Sequence, residues 1–176
     1  MNDKVREILI KIYELNKVII VFNTDLAAEP TEDYGQIMDV VHLQLIIKSN
    51  RNEIGEEDII SIPTDKFPEG DQLETLTLSV QGLRNQYISL QNLTQTFFKK
   101  FRALRQLDLA GNNMKMLDAN IFAAQTKLNS LNLSRNEIRE LPESLFEYQR
   151  QLLILDLSHN SLTYLTPHLF DDTPWL

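Results

Sequence analysis

A 24-residue period dominates the chain. Leu104, Leu107, Leu109 and Asn112 recur as Leu128, Leu131, Leu133 and Asn136, and again as Leu152, Leu155, Leu157 and Asn160. Further along each unit Leu117, Leu141 and Leu165 align, as do Phe122, Phe146 and Phe170. Such a period requires stacked coils, because one short unit cannot bury its apolar face alone and must cover it with the next. Upstream the step lengthens to 31 and the anchors persist as Leu73, Leu76, Leu78, Leu93 and Phe98, with Gln81 where asparagine recurs. A further step of 31 gives Leu45, Ile47, Asn50, Ile62 and Phe67. The seven extra residues fall between the asparagine position and the next anchor, so they enlarge a loop outside the core.

The spacing has a direct physical reading. In Leu131-Asn132-Leu133 alternate side chains point to opposite faces, so the leucines enter the core and Asn132 faces outward. The segment is a short strand, and strands from successive coils pair in parallel roughly 4.8 Å apart. Asn50, Asn112, Asn136 and Asn160 fall where the chain leaves its strand. Peptide groups at a buried turn are satisfied by no ladder, and an amide side chain offers both donors and an acceptor. These asparagines are therefore expected to form a structural ladder between coils. The phenylalanines form a second column, filling the core along the opposite side.

This pattern, LxxLxLxxNxLxxLxxxxF, resembles the leucine-rich-repeat family over residues 42–176, in five units spanning 42–72, 73–103, 104–127, 128–151 and 152–175. The 24-residue length, the Leu141-Pro142 step and the phenylalanine near each unit's end are similar to the extracellular-type class, as in Toll-like receptor ectodomains and insect leucine-rich immune proteins. The resemblance implies an α/β-type leucine-rich-repeat solenoid, with parallel strands on the concave face and a mostly irregular or short helical convex side. It also implies a non-catalytic module that recognises protein or pathogen-derived ligands in innate immunity or receptor signalling, outside the cell or on its surface, without a cofactor. Oligomeric state is left open.

Residues 1–41 read as a degenerate repeat or capping segment. Leu15, Val18, Ile20 and Asn23 fit the repeat, while Val5, Ile8, Leu9 and Ile12 lie at helical spacing behind Asn2 or Asp3. Both hold if a short helix covers the N-terminal end of the ladder. Ala27 to Gly35 reads as a polar loop. The caps of extracellular relatives are cysteine-bonded, and this chain has no cysteine. Its end, DDTPWL, resembles the approach to such a cap, so a fragment of a longer receptor-like protein is expected. The absent cysteines and the charged start MNDKVREILIKIYEL, unlike a secretory leader, favour the alternative of an intracellular scaffold or enzyme-regulatory subunit.

The net charge of −8 argues against a nucleic-acid partner. Residues 1–72 carry 15 acidic and 7 basic side chains, against 10 of each in 73–176, which places the imbalance in the first part. No apolar run approaches the roughly 18 residues of a membrane span, so no membrane contact is expected from this segment. No catalytic or metal-binding constellation is legible: His42, His159 and His168 lack a placed nucleophile, and the five glycines form no phosphate-cradling run. Lys99, Lys100, Arg102 and Arg105 read as a solvated face on the convex return.

What remains is the outward face of the strands, in three columns: Gln44, Thr75, Gln106, Ser130 and Ile154; Ile46, Thr77, Asp108, Asn132 and Asp156; Lys48, Ser79, Ala110, Ser134 and Ser158. These side chains are small, polar and slightly acidic, which suits a protein partner, a basic one in particular. Two triplets could accept N-linked sugar, Asn92-Leu93-Thr94 and Asn132-Leu133-Ser134. Asn92 is the better acceptor, because Asn132 lies within a strand and LNLS is what the repeat produces anyway.

Overall fold

A computed structural model describes residues 9–13, 17–23, 41–49, 72–82 and 95–176. Seven strands form one open sheet in chain order: β1 (Leu9–Tyr13), β2 (Lys17–Asn23), β3 (His42–Ser49), β4 (Thr75–Gly82), β5 (Gln106–Asp108), β6 (Ser130–Asn132) and β7 (Ile154–Asp156). From β2 to β7 every neighbouring pair is parallel; β1 alone runs antiparallel, against β2. Sequence neighbours are spatial neighbours throughout, as in a solenoid.

The alternation expected from the repeat produces the core. Leu76, Leu104, Leu109, Leu128, Leu131 and Leu133 are fully buried, while the residues between the strand leucines face out. Burying such a side chain contributes about 1.5–3 kcal/mol, so each coil gains only by lying against its neighbours. The returns are built from tight turns. One is the four-residue helix α1 (Gln95–Phe98), and the later coils use i→i+3 bonds such as Gln125 N–H to Phe122 O at 2.9 Å and Gln149 N–H to Phe146 O at 3.1 Å. Phe98, Phe122 and Phe146 are fully buried, with Phe98 and Phe122 at 5.8 Å between centroids and Phe146 stacked on Phe170 at 5.9 Å. Phe67 lies outside the described residues.

The asparagine ladder forms as the amide chemistry requires. Asn136 Nδ2 donates to Leu133 O of its own coil at 2.9 Å and to Leu109 O of the preceding coil at 3.0 Å. Its Oδ1 accepts from the N–H groups of Asn112 and Met114 at 2.9 and 3.1 Å. Asn112 repeats the donor half toward Leu78 O, and Asn160 bridges Leu133 O and the Ile138 N–H. The residue before each asparagine, Gly111, Arg135 or His159, has φ of 69°, 56° or 55°. The left-handed step turns the strand exit so that the amide can enter the core.

A second ladder was not evident from the leucine pattern. Gln125 and Gln149, three residues after Phe122 and Phe146, are fully buried. Gln125 Nε2 donates to Phe98 O at 2.6 Å and Gln149 Nε2 to Phe122 O at 2.7 Å. Thr173 continues the column but bonds Phe170 O within its own coil, at 3.0 Å. Both glutamine Oε1 atoms find no partner among the described residues, so this ladder is half-satisfied and the weaker of the two.

Three expectations change. Leu9–Tyr13 is a strand, not part of a helix; a short apolar run has no decisive period, and the unpaired edge of β2 offers it backbone partners that an isolated helical turn lacks. Residues 1–8 lie outside the described residues. The step between β3 and β4 is 33, since Leu43 pairs with Leu76 and Leu45 with Leu78. A slip of two preserves which face each residue occupies, so hydrophobic alternation could not detect it. In that register Lys48 stands opposite Gln81 and Asn23, in line with the ladder and two residues before Asn50, which is outside the described residues. Finally Leu165, in the terminal coil, is 48% exposed, whereas its equivalents Leu117 and Leu141 are buried.

Replacing Asn136 with alanine strands several buried polar groups and is expected to cost about 3 kcal/mol, at the upper end for one unsatisfied site. The same change at half-buried Asn160 costs less; urea unfolding of the two variants checks the order. A Cβ added at Gly111 meets nothing within 4 Å, so Gly111→Ala isolates the left-handed backbone cost, about 1 kcal/mol in the same assay.

Candidate functional site

The outward faces of the strands build one continuous, mainly polar sheet surface. By register the first column is His42, Thr75, Gln106, Ser130 and Ile154, and the second is Gln44, Thr77, Asp108, Asn132 and Asp156. Gln44 therefore moves from the first column to the second, beside Thr77, and Ile46 joins Ser79 in the third, a consequence of the two-residue slip. Gln44, Thr75, Thr77, Asp108, Ser130, Asn132 and Asp156 are half-buried, whereas Gln106 is exposed and Ile154 is 62% exposed.

The second column has a structural duty that the sequence reading missed. Asp108 Oδ1 accepts the Ala110 N–H at 3.0 Å, Asn132 Oδ1 the Ser134 N–H at 3.0 Å, and Asp156 Oδ1 the Ser158 N–H at 2.8 Å. Each side chain closes a short ring on its own backbone, the Asx turn available to Asp and Asn. The signal was present as Asp or Asn at 24-residue spacing, two positions before a small residue. These side chains are consequently fixed in orientation, so a ligand meets preset polar groups, acceptors at Asp108 and Asp156 and an amide donor at Asn132, instead of free rotors.

The same bonds shape the electrostatics. The Ser158 N–H, with the Ser158 hydroxyl second and smaller help from Ser134 and nearby His159, holds the Asp156 carboxyl below its ordinary range. Asp156 thus stays ionised in mildly acidic conditions. His168 lies on the return, where its Nδ1 is 2.9 Å from Asp171 Oδ2; that hydrogen bond and the carboxylate charge raise its pKa. Among the described residues no group of three His, Cys, Asp or Glu side chains could hold a metal ion.

At Asn132 the Oδ1 also accepts the Ser134 hydroxyl at 2.7 Å, and Ser134 is buried. The acceptor triplet is thus folded into the strand exit. Asn92 lies outside the described residues.

The sequence profile of leucine-rich repeats matches residues 82–138 and 126–176. The chain belongs to the leucine-rich-repeat family. Its fold is similar to that of Toll in the glycosylated Toll–Spatzle complex of Drosophila, with a TM-score of 0.58 and 25% identity over 89% of this chain. It is also similar to TLR13 in its complex with ssRNA13, with a TM-score of 0.53 and 24% identity over 80% of this chain. The chain spans 22% and 28% of the length of those two proteins. No match is found among curated protein sequences.

Asp156→Asn keeps the Asx turn, as Asn132 shows, and removes the charge. Because the folded carboxyl titrates lower than the unfolded one, ionised Asp156 adds stability above the model-peptide value of 3.8 and loses it as pH falls through the folded value. Denaturant titrations should find wild type more stable than the variant at neutral pH, the gap closing in acid.

Proposed function

We propose that this segment is a non-catalytic recognition module whose concave face binds a protein ligand in a receptor-like, extracellular setting. The reading is carried by one observation: among the outward strand side chains Asp108, Asn132 and Asp156 stand in one column, each fixed by an Asx turn. A rigid surface loses little entropy on binding, and two carboxylates in line favour a basic partner. The likeness to Toll supports a protein ligand, since Toll is seen bound to Spatzle. TLR13 is seen bound to RNA, but the carboxylates of this concave face repel a phosphate backbone. A role in innate immunity is the finer form of the same reading. Asn92, in the acceptor triplet Asn92-Leu93-Thr94, would carry sugar in that setting.

The absence of cysteine favours a second reading, an intracellular scaffold or enzyme-regulatory subunit. Expression through a secretory pathway followed by glycosidase treatment separates the two. A mobility shift abolished by Asn92→Gln supports the extracellular reading, and its absence counts against it.

For the surface itself, the chain should be tested by biolayer interferometry against a panel of purified secreted and pathogen-derived proteins, basic ones included. Ser130→Arg is expected to weaken a bound partner at least about tenfold, roughly 1.4 kcal/mol, through steric block and an added positive charge. Glu143→Arg, on the return, should leave it unchanged. The opposite ranking would move the binding site off the concave face.

A further inference from the structure

The convex side carries a cleft of about 590 Å³ between the return that follows β4 and the return that follows β5. Lys99, Arg102 and Lys127 line it around a floor of alanines, with Gln95 and Thr126 adding polar groups. The cleft exists because the repeat puts small residues where the next coil has large ones. Ala123 and Ala124 occupy the positions of Glu147 and Tyr148 one coil later, 24 residues on.

The charge at this place is unusual for the chain. Residues 95–127 hold six basic side chains and two acidic ones in a protein whose net charge is −8. The basic residues divide into two groups. Arg105 meets Glu74 at 3.4 Å, Lys115 lies 4.0 Å from Glu137, and Lys100 has an interaction of its own. Lys99, Arg102 and Lys127 have no ion pair among the described residues, and these three are the ones that line the cleft. Unpaired cations on a concave surface raise the local potential and concentrate anions. The volume falls in the range of small-molecule sites and is far too small for a folded partner.

We propose that this cleft is a binding site for a small polyanion, a sugar bearing several phosphate or sulfate groups. Arg102 presents a planar fork of donors that matches two oxygens of one such group, while Lys99 and Lys127 act as point charges on its neighbours. Gln95 and Thr126 hydrogen-bond the sugar hydroxyls, and the alanine floor accommodates its ring. The site is separate from the concave face and does not depend on the reading proposed for it.

Isothermal titration of the whole chain at low salt, with inositol hexakisphosphate and sucrose octasulfate as separate probes, tests this. Inorganic phosphate serves as the single-group control. Saturable one-to-one binding of either hexakisphosphate or octasulfate is expected, stronger than that of inorganic phosphate, and the tighter probe tells phosphate from sulfate chemistry. Lys99→Ala, Arg102→Ala and Lys127→Ala should each weaken binding about tenfold, consistent with loss of a charge-assisted hydrogen bond. Ala123→Glu, which copies the residue of the next coil and so is compatible with the fold, should abolish it with circular dichroism unchanged. Lys115→Ala should have little effect. No saturable binding of either polyanion, or equal weakening by Lys115→Ala, or full binding by Ala123→Glu, overturns the proposal.

Discussion

The bridge made by one side-chain amide, Asn136, between two coils is the interaction on which the solenoid rests. Strand pairing alone joins coils over three residues in β5, β6 and β7, too short a ladder to hold a stack. Where each strand ends, the backbone turns into the core and its polar groups lose water. Asn136 meets both sides of that requirement at once, with its amide nitrogen on the carbonyls of Leu109 and Leu133 and its oxygen on the N–H groups of Asn112 and Met114. The leucines supply the larger share of burial, but they are non-directional. The asparagines set the register in which the leucines meet.

From that constraint follows a division of labour between the two faces. Strand exits are fixed in left-handed turns at Gly111, Arg135 and His159 and closed again by Asx turns from Asp108, Asn132 and Asp156. The concave surface therefore carries side chains tied to the backbone of their own coil, although they are not needed for the core. The returns are held by the phenylalanine column and the half-satisfied glutamine ladder, and their outer residues vary freely. One variation, two alanines where the next coil carries glutamate and tyrosine, opens the cationic cleft. A repeat protein thus gains distinct surfaces by changing only the positions that the stack leaves unassigned.

The leucine, asparagine and phenylalanine columns from Leu104 onward were legible in the sequence because the period there is constant and each column has one chemical task. Legibility failed where two solutions shared the same periodicity. HLQLIIKS at β3 keeps its faces under a shift of two residues, so only the pairing of Leu43 with Leu76 reveals the true step. LIKIY at β1 is too short to show a period, and its pairing with β2 is a tertiary choice. The Asx duty of Asp108, Asn132 and Asp156 was hidden for another reason: outward polar residues on a strand look free, and their bonds to backbone two residues ahead depend on the turn that the ladder imposes. The cleft was invisible because Lys99, Arg102 and Lys127 come from adjacent coils, and the sequence cannot say which of the basic residues already have partners.

Native-state hydrogen exchange at single amides tests the bridging role of Asn136 most directly. If its side-chain oxygen seals the strand exit, the Asn112 and Met114 amides exchange as slowly as the Leu109 amide, which bonds Asn132 O in the strand ladder at 2.8 Å. Exchange of Asn112 and Met114 at the rate of exposed loop amides, with Leu109 still protected, would contradict the account.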